Sequence, residues 1–108
     1  MLYLITRHSG AISWLINALD QHLELGNYTD DIKVLSHLEP HHRFAAGDIV
    51  VGILPVDKAC QVVQQGARYF HLGMNLPAEF RGKELDAAQM QQFSPKIEEF
   101  LLAKPKFL

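Results

Sequence analysis

Ile49-Val50-Val51-Gly52-Ile53-Leu54 is the stretch of this sequence that decides its fold. It is rich in β-branched residues, begins after Gly47-Asp48 and ends at Pro55. It lacks the alternation of apolar and polar residues that marks a strand with one face in water. We therefore predict a central strand covered on both faces. Such strands belong to parallel sheets with helices on both sides, so the stretch favours an α/β fold.

Similar patterns extend from this strand in both directions. Downstream, an apolar stripe with helical spacing ends at Gly66 in the C′ position, and a strand is predicted over 67–72. Upstream, we predict a strand over 2–6, a helix ended by Gly26, and a weaker strand over 32–36. The chain thus reads strand-helix-strand twice, which is typical of parallel strands with right-handed crossovers.

The carboxyl-terminal part has a helical pattern. Asp86 with Gln89 predicts a capping box, and apolar residues continue at helical spacing to Leu101, with Ser94-Pro95 as a restart. The predicted architecture is a Rossmann-like, mainly parallel sheet of about four strands, flanked by helices and followed by a C-terminal helix. We expect one domain over residues 1–108.

Composition excludes several classes of function. The net charge of −2 provides no basic field for duplex nucleic acid, and no apolar run approaches the roughly 20 residues that span a membrane. The single cysteine, Cys60, excludes an intrachain disulfide and suits the cytoplasm. His37, His41 and His42 lack metal-ligand spacing, and no dinucleotide-binding glycine motif or P-loop is present. We expect neither metal nor cofactor.

Ligands of open parallel sheets bind beyond the carboxyl ends of the strands. The loop after the first strand, Thr6-Arg7-His8-Ser9-Gly10, combines a cation, an imidazole and a hydroxyl at a predicted helix amino terminus. Free backbone N–H groups at such a terminus favour anions, so the loop predicts a phosphate site. The competing interpretation is that Ser9-Gly10 only caps the helix.

The loops after the third and fourth strands complete the predicted site. Pro55 lies in the first of these, and Arg81-Gly82 and Glu84 lie in the second. A guanidinium group binds two phosphate oxygens in parallel, Gly82 lets the backbone turn toward a ligand, and Glu84 is placed to orient Arg81. This charged segment also fits an ordinary solvated turn.

Four ordered blocks between Tyr3 and Leu85 resemble the small accessory CRISPR-associated proteins of type III systems. The blocks are Arg7-His8-Ser9-Gly10-Ala11-Ile12 with Trp14, Gly47 to Val56, Gly66 to Leu72, and Leu76 to Leu85. The resemblance implies a Rossmann-like fold and a ring nuclease that cleaves cyclic tetra-adenylate, the second messenger that activates antiviral nucleases. Two positions depart from the family pattern, since Ser9 replaces an expected proline and Asn75 an expected acidic residue before Leu-Pro.

The resemblance also suggests a mechanism without metal, in which the ribose 2′-hydroxyl attacks its own 3′-phosphate. Arg7 and the amides near Ser9-Gly10 would hold the phosphate, His8 would transfer protons or orient the ribose, and Arg81 would close over the ring. Asn75 would contact the substrate. A symmetric ring predicts a homodimer.

Two other functions remain open on the sequence. The same loops could sequester cyclic oligoadenylate without cutting it. Alternatively, the chain could be an interaction subunit for a protein partner, which would be favoured if Arg7 and Arg81 point apart.

Overall fold

The computed structural model describes residues 1–6, 12–22, 24–28, 30–75, 77–80, 83, 86–93 and 95–102. Within these residues the fold is an α/β sandwich around one five-stranded sheet. The strands are β1 (Leu2–Ile5), β2 (Ile32–Leu35), β3 (Ile49–Gly52), β4 (Arg68–Gly73) and β5 (Lys96–Phe100). The helices are α1 (Ile12–Gln21), α2 (Val56–Gln64) and α3 (Ala87–Gln92), with short 3₁₀ turns at Leu25–Tyr28 and Ala78–Phe80.

The sheet has the order β2-β1-β3-β4-β5. The first four strands are parallel, and β5 runs antiparallel beside β4. Both predicted strand-helix-strand units are present, as β1-α1-β2 and β3-α2-β4. The chain leaves β1 toward β2 on one side, while β3 pairs with β1 on the other side. The carboxyl ends of β1 and β3 therefore form the point at which the connections diverge.

Two hydrophobic layers enclose the sheet. On one face Leu4 and Val51 pack with α1 and α3, and on the other Val50 and Tyr69 pack with α2. Every residue of β3 is buried, as the absence of alternation in its sequence predicted, but the strand ends at Gly52 rather than Leu54, and Ile53 is 50% exposed. The central strand thus anchors both layers, since burying apolar side chains on both faces is the main source of stability.

The local signals at helix ends were largely correct. Asp86 and Gln89 form the predicted capping box, with Asp86 accepting from the Gln89 backbone N–H at 2.8 Å. Gly66 follows α2 with a positive φ of 91°, as expected at a C′ position. The predicted end of the first helix at Gly26 was wrong, because α1 stops at Gln21. There His22 Nδ1 accepts from two backbone N–H groups of the following turn, which diverts the chain into a 3₁₀ turn.

The region after Pro95 corrects the sequence analysis. A continued helix was predicted there, but residues Lys96–Phe100 form β5, so the sheet has five strands rather than four. Pairing with β4 decides the structure of this segment, and Arg68 fixes it by binding both carboxylate oxygens of Glu99 at 2.8 Å. The cap predicted at Ser94 lies outside the described residues.

No helix in the described part of the chain combines the length and the apolar character that crossing a membrane requires.

Candidate functional site

A cavity of about 380 Å³ opens at the carboxyl ends of the parallel strands. It lies where β1 meets β3, the position at which open α/β sheets bind their ligands. Its volume is at the lower end of the roughly 300–1,000 Å³ that is usual for small-molecule sites. The described lining residues are Leu4, Ile5, Thr6, Leu15, Ser36, His37, Leu38, Gly52, Ile53, Leu54, Pro55, Lys58 and Leu72.

Glycine is required where β3 enters this cavity. Gly52 pairs with Ile5 in the parallel ladder, and a Cβ built on Gly52 would lie only 2.5 Å from the Ile5 carbonyl oxygen. Any side chain at this position would therefore push β1 and β3 apart. The close approach of the two strands sets the shape of the cavity floor.

Tyr69 holds the loop that follows β3. Its side chain is 1% exposed, and its hydroxyl donates to the Gly52 carbonyl at 3.0 Å while accepting from the Leu54 N–H at 3.0 Å. His71 Nδ1 lies 2.7 Å from the same oxygen, so the consistent assignment has Nδ1–H as a further donor. Burial raises the pKa of the Tyr69 hydroxyl, and the Leu54 hydrogen bond partly opposes that rise. The loop wall of the cavity thus depends on one buried oxygen.

Polar side chains reach the cavity from three elements. Thr6 follows β1 and continues its ladder through a 2.9 Å hydrogen bond to the Leu35 carbonyl. Ser36 and His37 follow β2, and Lys58 comes from the first turn of α2. Lys58 carries the one permanent positive charge among the lining residues that the structure describes. An anion in this space would have that ammonium group and several hydrogen-bond donors within the same enclosure.

His37 is held by its neighbours. Its Nε2 lies 2.7 Å from Glu39 Oε1, and its Nδ1 lies 3.2 Å from Ser36 Oγ. A carboxylate can only accept, so Nε2 carries the proton that joins it to Glu39. In the neutral imidazole, Nδ1 is then the acceptor and Ser36 its donor. The basic nitrogen of His37 therefore lies beside a hydroxyl that lines the cavity.

The structure brings two predicted site residues together, since Thr6 and Pro55 both line the cavity. Asn75 is exposed and is not among the lining residues, and its backbone N–H donates to the Phe93 carbonyl at 2.9 Å. The other predicted residues lie outside the described part of the chain, and their roles stay predictions. They are Arg7, His8, Ser9, Gly10, Arg81, Gly82 and Glu84.

Sequence reasoning missed Ser36, His37 and Lys58 as site residues. His37 was weighed only as a metal ligand, together with His41 and His42. The signal was present, because Ser36 ends the strand predicted over 32–36 and His37 directly follows it, which places both at the carboxyl edge of the sheet. Lys58 could have been found in the same way, because it comes three residues after Pro55, which directly follows another predicted strand. In the described part of the chain no group of three or more His, Cys, Asp or Glu side chains is placed to hold a metal ion.

Comparison with known proteins identifies a family that includes this chain. Residues 3–103 match the model of a family described as "Putative CRISPR-associated protein (Cas_VVA1548)". No curated protein and no solved structure matches the chain. The match covers nearly the whole sequence, and it includes every described residue that lines the cavity.

Proposed function

This chain belongs to that family of CRISPR-associated proteins, and from this premise we propose that it is a metal-independent ring nuclease for cyclic tetra-adenylate. In the proposed reaction the 2′-oxygen of a ribose forms a bond to its own 3′-phosphorus, and the bond from phosphorus to the neighbouring 5′-oxygen breaks. The products carry a 2′,3′-cyclic phosphate and a free 5′-hydroxyl. Removing the messenger would switch off type III antiviral signalling.

The observation that carries this proposal is the cavity at the β1–β3 divergence. Its lining residues include Lys58, Thr6, Ser36 and His37. A cation and several donors suit a phosphodiester, because catalysis of phosphoryl transfer consists largely of positioning and of stabilising developing negative charge. The described residues supply groups for both tasks.

The remaining roles follow the sequence. Arg7, which follows Thr6 in the sequence, would bind the scissile phosphate together with Lys58, and His8 would orient the ribose. Arg81, in the loop after β4, would close over the bound ring. Arg7 and Arg81 would give this chain of net charge −2 a local positive region that attracts the anionic ring.

The size of the cavity supports a dimeric enzyme. A single cavity of about 380 Å³ is at the small end of the range for one ligand, whereas the messenger is a ring of four nucleotides. We propose a twofold dimer in which each subunit binds part of the ring, since such dimers are the commonest protein assemblies. Light scattering at micromolar concentration should give twice the mass of the 12.2 kDa chain.

Incubation of the protein with cyclic tetra-adenylate and excess chelator tests the proposal. Mass spectrometry should reveal linear products ending in 2′,3′-cyclic phosphate, at more than one ring per protein molecule. Arg7→Ala should slow cleavage by roughly a hundredfold, the usual effect of removing one charged donor to an oxyanion. Arg43→Ala, on an exposed position away from this cavity, is the matched control and should keep the wild-type rate.

Two outcomes would select other functions. Retention of one intact ring per site would make the protein a sequestering module. Absence of both binding and cleavage would leave a protein-interaction subunit as the better hypothesis.

A further inference from the structure

His37, Ser36 and Glu39 form a hydrogen-bonded chain at the carboxyl end of β2. Nε2 of His37 lies 2.7 Å from Glu39 Oε1, and Nδ1 of the same ring lies 3.2 Å from Ser36 Oγ. Ser36 and His37 line the cavity, whereas Glu39 lies outside the lining. A carboxylate thus binds Nε2 of the ring, and Nδ1 lies beside the hydroxyl of a residue that lines the cavity.

This arrangement matches what a general base needs. The carboxylate fixes the tautomer with the proton on Nε2 and stabilises the positive charge that forms when Nδ1 takes up a second proton. The Ser36 hydroxyl marks the position from which a donor reaches Nδ1. The side chain of His37 is 56% exposed, so a ligand in the cavity can approach the ring without displacing core residues.

We infer that His37 is the general base of the proposed ring cleavage, with Glu39 as its positioning residue. This inference rests on the proposed function. The ribose 2′-hydroxyl replaces Ser36 as the donor to Nδ1 and passes its proton to that nitrogen as the 2′-oxygen bonds to phosphorus. The 5′-oxygen leaves with a proton from water, and the proton on Nδ1 returns to solvent. Lys58 offsets the negative charge on the phosphorane.

The neighbouring histidines do not share this geometry. His41 lines a separate polar depression with Arg43 and Gln61. The ring of His42 packs against Tyr3 and Phe44, with centroid separations of 5.4 Å and 4.4 Å. Among the three histidines of this connection, His37 is the one that lines the main cavity. His41 therefore serves as a matched control.

The test compares steady-state cleavage of cyclic tetra-adenylate by wild type, His37→Gln and His41→Gln. Glutamine keeps hydrogen-bonding groups but cannot take up the proton, so kcat should fall by about 10²–10⁴-fold while KM changes by less than about threefold. His41→Gln should match the wild type in both respects.

Two further variants separate catalysis from folding. His37→Gly should regain activity when imidazole is added, which a merely structural role would not allow. Glu39→Ala should lower kcat by roughly tenfold with KM unchanged, since it removes the partner that orients the ring.

Each result has a distinct meaning. Undiminished kcat in His37→Gln, or a change confined to KM, overturns the assignment of His37 and leaves the ring nuclease proposal standing. Absence of cleavage by the wild-type protein overturns both.

Discussion

Replacing Tyr69 by phenylalanine removes a single oxygen on which the loop after β3 depends. That oxygen serves Gly52, Leu54 and His71 from a position that is 1% exposed. The hydrogen bond to the Gly52 carbonyl is buried and the one from the Leu54 N–H is partly buried, while the half-buried His71 can turn to water. At about 1 kcal/mol per hydrogen bond, with an added cost for orphaned buried groups, Tyr69→Phe should lower the free energy of unfolding by about 2–3 kcal/mol.

Urea unfolding followed by circular dichroism measures this effect. The midpoint should fall while the slope with denaturant stays constant, because the surface exposed on unfolding is the same. Tyr3→Phe is the matched control, since the described contacts of Tyr3 are ring contacts with His42 and Phe44. A loss for Tyr69→Phe no larger than that of Tyr3→Phe would refute the role of the buried oxygen.

Three more perturbations follow from the structure. Gly52→Ala should destabilise the protein by about 1–3 kcal/mol, because the new Cβ meets the Ile5 carbonyl at 2.5 Å; thermal unfolding measures it. Glu99→Gln should cost up to about 1 kcal/mol in urea unfolding at neutral pH, because it breaks an exposed pair with Arg68. The hydrogen bonds of Arg68 lower the pKa of Glu99, so this stabilisation is complete above the unfolded value of about 4.3 and disappears as pH falls through the folded value. Lys58→Ala should weaken binding of cyclic tetra-adenylate by about tenfold or more in a titration, because it removes a charge-assisted contact.

Each of these changes has a control in the same chain. Gly73→Ala adds a Cβ with nothing within 4 Å and should leave stability nearly unchanged. Glu98→Gln alters a neighbouring exposed carboxylate of β5 and should keep the acid-side loss of stability that Glu99→Gln removes. Lys33→Ala, on exposed β2, should bind the ring as the wild type does. A test variant that behaves like its control contradicts the corresponding argument.

The sequence predicted the parallel part of the fold because its signals are local. The continuous apolar run of β3, the glycine after α2 and the capping box at Asp86 each act within a few residues. The segment Lys96–Phe100 was predicted as helix because its apolar residues fit helical spacing. Its structure depends on pairing with β4, a distant contact that overrides weak local preference.

The sequence predicted part of the candidate site, because local signals marked two of the loops that form the cavity. The loops after β1 and β3 were chosen because they carry a motif or follow a strong strand, and both contribute to the cavity through Thr6 and Pro55. The loop after β2 was overlooked although it follows a predicted strand, because the sequence does not show which strands neighbour that short strand and therefore that His37 and Thr6 line the same cavity. Only the strand order, with β1 between β2 and β3, joins the two loops.

The cavity is divided between two pieces of chain that are separate in sequence. One wall, with Thr6 and His37, comes from β1-α1-β2, and the other, with Pro55 and Lys58, comes from β3-α2-β4. Neither strand-helix-strand unit forms the cavity alone, so a bound ligand would contact both units and hold them together. When the free ligand concentration is a hundred times its dissociation constant, binding would add about 2.7 kcal/mol to the free energy of unfolding.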